Sequence, residues 1–240
     1  MELKPIRTDN RDPRAHYAPA QDVAYATAES RKVLRNTYLL LALTMVPTVI
    51  GAWIGMQTAG LITGSPILSM VVVLAGVIGL QFAIAANRNS GLGVALLLLM
   101  TGILGWWLGP ILNVALSMSN GMQLVAYAAV GTGVIFVAMG AIAQSLKRDI
   151  GFMGKFLFVG MIALLIAIFA NMWLQIPALA LTISTLVIVL FSMFLVNDLQ
   201  RILRGGETNY IMATTGVYMS LFNIFANLLH LLLALGGERD

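Results

Sequence analysis

The stretch PALALTISTLVIVLFSMFLVN, residues 177–197, decides the fold class of this chain. It contains no charged residue, and a helix of about 20 residues is long enough to cross a hydrocarbon layer about 30 Å thick. Backbone amides need hydrogen-bond partners in lipid, so a spanning segment forms either a helix or a strand of a closed barrel. The stretch lacks the alternation of apolar and polar residues that is typical of barrel strands. It therefore predicts a transmembrane α-helix.

Further runs of the same kind occur along the rest of the chain. Of its 240 residues, 59% are hydrophobic and only 10% are charged, which is typical of a chain built for lipid. The sequence predicts an all-α, polytopic membrane protein with a bundle of seven transmembrane helices. Besides residues 177–197, the predicted spans lie near residues 34–56, 66–86, 91–116, 122–146, 152–173 and 211–235.

The basic residues predict the orientation of the bundle. All but one of the 14 lysine and arginine residues fall on one side of the seven spans, and the exception, Arg239, lies next to the C-terminal residue. The positive-inside rule places that side in the cytoplasm, so the N-terminus is expected inside and the C-terminus outside. Because these cations are spread over separate loops, anionic lipid explains them better than nucleic acid, which is not expected as a partner.

The first 30 residues form a separate region. Residues 1–30 are rich in Pro, Ala, Asp and Arg and show no sustained apolar period, which predicts a flexible cytoplasmic tail. Residues 31–240 would then form the seven-helix transmembrane domain. Two interpretations of the tail stay open: an inert solvated terminus, or a segment long enough to enter the pore of a cytoplasmic machine.

Small residues recur where transmembrane helices would need to approach one another closely. Gly51 and Gly55 form a small-xxx-small pair in the first span, and Gly105 and Gly109 form another in the third. These pairs predict close helix packing. Pro47 in the first span and Pro110 in the third each remove a backbone donor, so a kink is expected in both helices.

The seventh span carries polar residues on one stripe of a helix. Gly216, Ser220, Asn223, Asn227 and His230 follow one another at steps of three or four residues. Polar groups facing lipid are costly, so the stripe should face protein or a wet cavity. Interhelical hydrogen bonds and a hydrated, ion-conducting path are the two alternatives. No second His, Cys or carboxylate is placed to make His230 a metal site.

Asp198 is the acidic residue at the edge of an apolar span. It follows Asn197 at the end of the sixth span, and Arg201 lies three residues later. One interpretation is an interfacial residue paired with Arg201. The other is an element of a pH-responsive gate.

Catalytic signatures are missing from the sequence. It contains no HExxH, GxSxG or P-loop motif, has two histidines far apart, and has no cysteine. We therefore expect neither an enzyme nor a bound cofactor or metal.

Three stretches carry a resemblance to a known family. They are KVLRNTY at residues 32–38, LGPILN at 108–113 and GGETNYIMATTGVYMSLFNIFANLL at 205–229. Together they resemble the bacterial branch of the transmembrane Bax inhibitor family, over about residues 31–235. The longest stretch opens with the family-like motif Gly205, Gly206, Glu207, Thr208, Asn209 and Tyr210.

The resemblance implies a seven-helix regulatory protein of the cell inner membrane, not an enzyme. It implies association with the membrane-anchored, ATP-dependent protease FtsH and its prohibitin-like partners, with an effect on membrane-protein quality control. In that interpretation the protease grips the N-terminal segment, from Met1 to about Arg31.

The resemblance also implies an alternative function, a pH-sensitive calcium or cation leak channel. Some family members are described as using two aspartates for this purpose. Asp198 matches the first, whereas Ser220 stands at the second, and Arg88 matches an arginine thought to latch the gate. Two nearby carboxylates can share a proton, but a carboxylate and a hydroxyl cannot supply that coupling. Calcium also prefers several charged oxygen ligands, so the alternative loses support here.

Overall fold

A computed structural model describes residues 20–146 and 153–236. Within these ranges the chain forms helices and no strand, which confirms the all-α class. The helices are α1 (Ala20–Gln57), α2 (Ala59–Thr63), α3 (Pro66–Ala86), α4 (Gly91–Trp107), α5 (Gly109–Leu116), α6 (Gly121–Ser145), α7 (Met153–Leu174), α8 (Pro177–Leu203) and α9 (Tyr210–Gly236).

The third predicted span is broken into two helices. Helices α4 and α5 meet at Leu108 with a bend of 42°. Pro110 lies in the first turn of α5, where its missing N–H needs no partner, and the kink expected there is confirmed. Pro47 lies inside α1, which continues through it as one helix, and a kink there stays a prediction. By length and composition, six of the described helices can cross a membrane, or seven segments when α4 and α5 count as one span.

Two helices continue beyond the apolar runs that predict membrane spans. Helix α1 begins at Ala20, well before the predicted start near Leu34, so residues 20–30 of the predicted tail are helical. Residues 1–19 lie outside the described residues, and a flexible tail there stays a prediction. Helix α8 continues past Asn197 to Leu203, which places Asp198 inside the helix. Hydropathy marks the part of a helix that suits lipid and misses its polar extension.

Helix α1 packs against α4, α5, α8 and α9. Its contact with α4 and α5 brings backbone against backbone. A Cβ atom on Gly51 would overlap the carbonyl oxygen of Gly102, and one on Gly105 would overlap that of Thr48. A Cβ on Gly109 would likewise overlap the backbone of Gly55. The predicted close packing is confirmed, and we call this contact the glycine seam.

Loops that carry basic residues meet at one end of the bundle. The side-chain amide Nδ2 of Asn209 donates to the carbonyl oxygen of Arg88 at 2.7 Å, joining the α8–α9 loop to the α3–α4 loop. The guanidinium of Arg204 donates to the carbonyl oxygen of Leu146 at 2.8 Å, joining the same region to the end of α6. We call this the basic end.

The opposite end is held by uncharged side chains. Asn113 donates to the carbonyl oxygen of Met56 at 2.7 Å, and Asn120 donates to that of Gly236 at 2.6 Å. We call this the neutral end. The two ends agree with the charge separation in the sequence, while the side of the membrane that each one faces stays a prediction.

Candidate functional site

The site is built around the α8–α9 loop at the basic end. Gly205 follows the last residues of α8 with a φ of 73°, a left-handed conformation that glycine adopts without steric cost. Its amide donates to the carbonyl oxygen of Ile202 at 3.1 Å, and that of Gly206 donates to the carbonyl oxygen of Arg201 at 2.8 Å. This pair of hydrogen bonds closes the helix and fixes the direction of the loop.

Glu207 connects the end of α8 to the start of α9. Its Oε1 accepts a hydrogen bond from the Asn209 amide at 2.9 Å, and its Oε2 lies 3.4 Å from a guanidinium nitrogen of Arg201. The ion pair of Arg201 is therefore with Glu207, and not with Asp198 as one interpretation of the sequence had it. The adjacent Thr208 is exposed.

Asn209 holds two parts of the site at once. Its Oδ1 accepts from the amides of Ile211 and Met212 at 3.0 and 3.1 Å, which caps the N-terminus of α9. Its Nδ2 donates to the carbonyl oxygen of Arg88 and to Oδ1 of Asn89 at 2.7 and 2.9 Å. One side chain thus positions both the seventh predicted span and the α3–α4 loop.

Tyr210 begins α9, and its carbonyl oxygen accepts a hydrogen bond from the Thr214 hydroxyl at 2.7 Å. The same hydroxyl lies 3.4 Å from the carbonyl oxygen of Thr37 in α1. The family-like motif therefore ends where α9 begins to pack on α1.

Asp198 lies in α8 and points toward α9. A Cβ atom on Gly216 would stand 2.8 Å from Oδ2 of Asp198 and 3.2 Å from its Cγ, so the missing side chain of Gly216 makes room for the carboxylate. The polar stripe of α9 thus begins directly against the one carboxylate that the sequence singled out.

The other two predicted gate residues occupy separate positions. Ser220 is buried on α9, one helical turn beyond Gly216. Arg88 has an exposed side chain, and its backbone carbonyl makes the contact with Asn209. Among the described residues, Arg88 and Asp198 form no ion pair within 4.0 Å. A latch between these residues stays a prediction.

The far end of the stripe also faces α8. Nδ1 of His230 and the hydroxyl of Ser184 are 2.9 Å apart. Because Gly216 meets Asp198 and His230 meets Ser184, both ends of the stripe contact the same neighbouring helix. The interpretation as an interhelical seam therefore has a specific hydrogen bond in its favour.

The two asparagines between these ends bond within their own helix. Asn223 donates to the carbonyl oxygen of Met219 at 2.9 Å, and Asn227 donates to that of Asn223 at 2.9 Å. Both side chains are partly buried. A hydrated path along this stripe stays a prediction.

Tyr218 joins three helices and was missed by sequence reasoning. Its ring is buried, its hydroxyl lies 2.8 Å from the hydroxyl of Thr48, and it donates to the carbonyl oxygen of Thr101 at 3.3 Å. Helices α9, α1 and α4 meet at this atom. A tyrosine in the middle of an apolar span signals that its hydroxyl needs a partner, but the partner cannot be read from spacing.

Residues 30–238 match the family described as Inhibitor of apoptosis-promoting Bax1. The chain belongs to the Bax inhibitor family. The predicted family membership is confirmed, and the bundle of apolar helices described above is the membrane-embedded body of this family member.

Bacterial relatives align with nearly the whole chain. The Escherichia coli K12 protein named Modulator of FtsH protease YccA is 39% identical over 203 residues, which cover 85% of this chain and 90% of that protein. The same protein of another Escherichia coli strain is named Inner membrane protein YccA. An uncharacterised protein of Neisseria meningitidis is 37% identical over 221 residues, covering 90% of this chain and 97% of the relative. The chain is thus a multi-pass membrane protein of a YccA-like regulatory family.

Proposed function

We propose that this chain is an inner-membrane regulatory protein that associates with an FtsH-type protease and its prohibitin-like partners and modulates the degradation of other membrane proteins. The observation that carries the proposal is the similarity to YccA, a relative named for this role, over 85% of the chain. In the proposal the N-terminus is cytoplasmic and the C-terminus is periplasmic, as the basic residues predict.

The N-terminal segment, residues 1–30, is the part that the protease would engage. Helix α1 begins within this segment, at Ala20, and it packs against α4, α5, α8 and α9. A protease that pulls from the N-terminus would therefore have to withdraw a helix with four partners before any other. Withdrawal of a helix with fewer partners would meet less resistance.

The contacts of α1 explain why this first step would be slow. In lipid, helices are held together mainly by van der Waals packing and interhelical hydrogen bonds. At the glycine seam the backbones of α1 and α4 touch, so withdrawal breaks many close contacts at once. It also breaks the hydrogen bond between Thr48 and the buried Tyr218 hydroxyl. A protease stalled at this step degrades other substrates more slowly, which is a physical route to modulation.

Affinity isolation of the tagged full chain from native membranes tests the association. We expect the FtsH-type protease to come with it, and failure to associate would contradict the proposal. A variant that lacks residues 2–19 keeps every described helix residue, so it should still associate with the protease while its own degradation slows several-fold. Equal degradation rates of the full chain and of the shortened variant would show that the protease does not need residues 2–19.

The predicted alternative, a pH-sensitive cation leak, rests on Asp198 and stays a prediction. The residues that the structure describes contain no group of three or more His, Cys, Asp or Glu side chains that could hold a metal ion. Calcium flux into liposomes carrying the purified chain, compared with Asp198→Asn over about pH 6 to 8, separates the two functions. A flux that depends on both pH and Asp198 would favour the leak.

A further inference from the structure

A crevice opens on the surface of the bundle between α6 and α7. Its floor is α8, against which both of these helices pack, and its volume is about 390 Å³. This is within the range of ligand-binding pockets, which runs from roughly 300 to 1,000 Å³. Its lining includes Ile142 and Leu146 of α6, Met153 of α7, and Val189, Ser192 and Val196 of α8.

The crevice offers an apolar surface to lipid. Val189 and Ile142 are 48% and 44% exposed, and the Ser192 hydroxyl donates to the carbonyl oxygen of Ile188 in its own helix. The polar atom of the floor is therefore already satisfied, and the remaining surface is hydrocarbon. Such a surface has no demand for a polar ligand and suits an alkyl chain.

A cationic side chain lies where the crevice reaches the basic end. The guanidinium of Arg204 donates to the carbonyl oxygen of Leu146, which is itself a lining residue. Arg204 thus places positive charge at the level where a lipid with its chain in the crevice would place its phosphate.

We propose that the crevice binds one acyl chain of an anionic phospholipid, whose phosphate lies near Arg204. The floor from Ile188 to Val196 extends for about 12 Å, at about 1.5 Å per residue, which is most of one leaflet of a hydrocarbon core about 30 Å thick. Basic pockets between transmembrane helices are suited to anionic headgroups. An acyl chain also supplies the van der Waals contacts that the lining of an empty crevice lacks.

Native mass spectrometry of the full chain tests this site with two probes, phosphatidylglycerol and phosphatidylcholine with the same acyl chains, present at equal concentration. We expect preferential retention of phosphatidylglycerol. Arg204→Gln should reduce that preference about fivefold, since one basic residue near the headgroup contributes about 1 kcal/mol. Equal retention of the two lipids by the unmodified chain would overturn the proposal.

Two variants distinguish lipid binding in the crevice from binding that depends only on the overall positive charge of the chain. Lys32→Gln removes an exposed cation of α1 and should leave the preference unchanged. Ser192→Phe fills the crevice floor and should reduce retention of both lipids. A loss with Lys32→Gln as large as with Arg204→Gln would show binding by overall charge and contradict the site.

Further outcomes distinguish a lipid in the crevice from a free anion and from a second copy of the chain. Excess glycerol phosphate, which has no acyl chain, should not displace the lipid; displacement would show a site for the free anion. If Ser192→Phe changed the oligomeric state and left lipid retention intact, the crevice would hold a second copy of the chain and the proposal would fail. Arg204 is exposed, so Arg204→Gln tests the headgroup contact without removing a buried side chain.

Discussion

The glycine seam and the α6–α7 crevice lie in one bundle and differ in how closely their helices pack. At the seam, glycines let the backbone of α1 touch that of α4, and a single added Cβ at Gly105 would overlap a carbonyl oxygen. At the crevice, α6 and α7 stand apart over α8 and leave a volume of about 390 Å³. Lipid tails are as apolar as leucine, so burial alone does not favour helix association in a membrane. The free energy of unfolding should therefore depend on how closely the helices contact one another. Substitutions at the glycine seam should lower it more than substitutions at the crevice.

Gly105→Ala adds a methyl group at the glycine seam and should have the largest effect on stability. The new methyl group would overlap the Thr48 carbonyl oxygen, so α1 and α4 must separate. We expect a loss of about 3 kcal/mol in the free energy of unfolding, the upper part of the range for overpacking. Unfolding of the purified chain in mixed micelles by increasing SDS measures it.

Gly79→Ala is the matched control for the seam. Gly79 lies inside α3, and a Cβ there would meet no described atom within 4 Å. Because alanine favours helix over glycine by about 0.5 to 1 kcal/mol, this change should leave stability unchanged or slightly higher. Equal losses in the two variants would show that the seam is not a special contact.

Asn209→Ala should have the next largest effect, because one side chain makes four hydrogen bonds at the basic end. We expect a loss of about 2 kcal/mol, the upper range for a helix cap. Asn209→Asp keeps the cap acceptor and loses the donor to Arg88, so it should lose less. Thr208→Ala, at an exposed neighbouring position, is the control and should be neutral. A neutral Asn209→Ala would contradict the role of this residue.

Tyr218→Phe tests the contribution of a hydrogen-bonded contact in the buried core of the bundle. It removes the hydroxyl shared by Thr48 and Thr101 while keeping the ring, so we expect a loss of about 1 kcal/mol. Tyr127→Phe alters a tyrosine that is 60% exposed and should have no measurable effect. A Tyr218 variant as stable as the Tyr127 variant would mean that the hydroxyl does not join the three helices.

Ser192→Ala should have the smallest effect, since it lies on the floor of the crevice. Its hydroxyl bonds within α8, and no close packing depends on it. We expect a change within about 0.5 kcal/mol in the same SDS titration. A loss as large as that of Gly105→Ala would remove the distinction between the two regions.

The sequence predicted the fold well because apolar length is a strong signal in lipid. It placed seven spans and the kink at Pro110, both of which depend on local composition. It did not give the start of α1 at Ala20 or the end of α8 at Leu203, because polar residues that extend a helix out of the apolar layer carry no hydropathy signal.

The site was predictable only where its chemistry is local. The capping of α9 by Asn209 follows from the preference of asparagine for the position just before the first residue of a helix. Its bond to Arg88 joins positions 121 residues apart, and no spacing rule predicts such a contact. The stripe of α9 was predictable from its period, whereas the packing of Asp198 against Gly216 depends on how α8 and α9 align.

The central claim is that the glycine seam resists withdrawal of α1 by the protease. The most direct measurement is the half-life of the full chain in native membranes that contain an FtsH-type protease, for Gly105→Ala beside Gly79→Ala. Both variants should associate with the protease, and the account predicts that Gly105→Ala is degraded several-fold faster while Gly79→Ala persists like the unmodified chain. Equal half-lives for the two variants, with association intact, would contradict it.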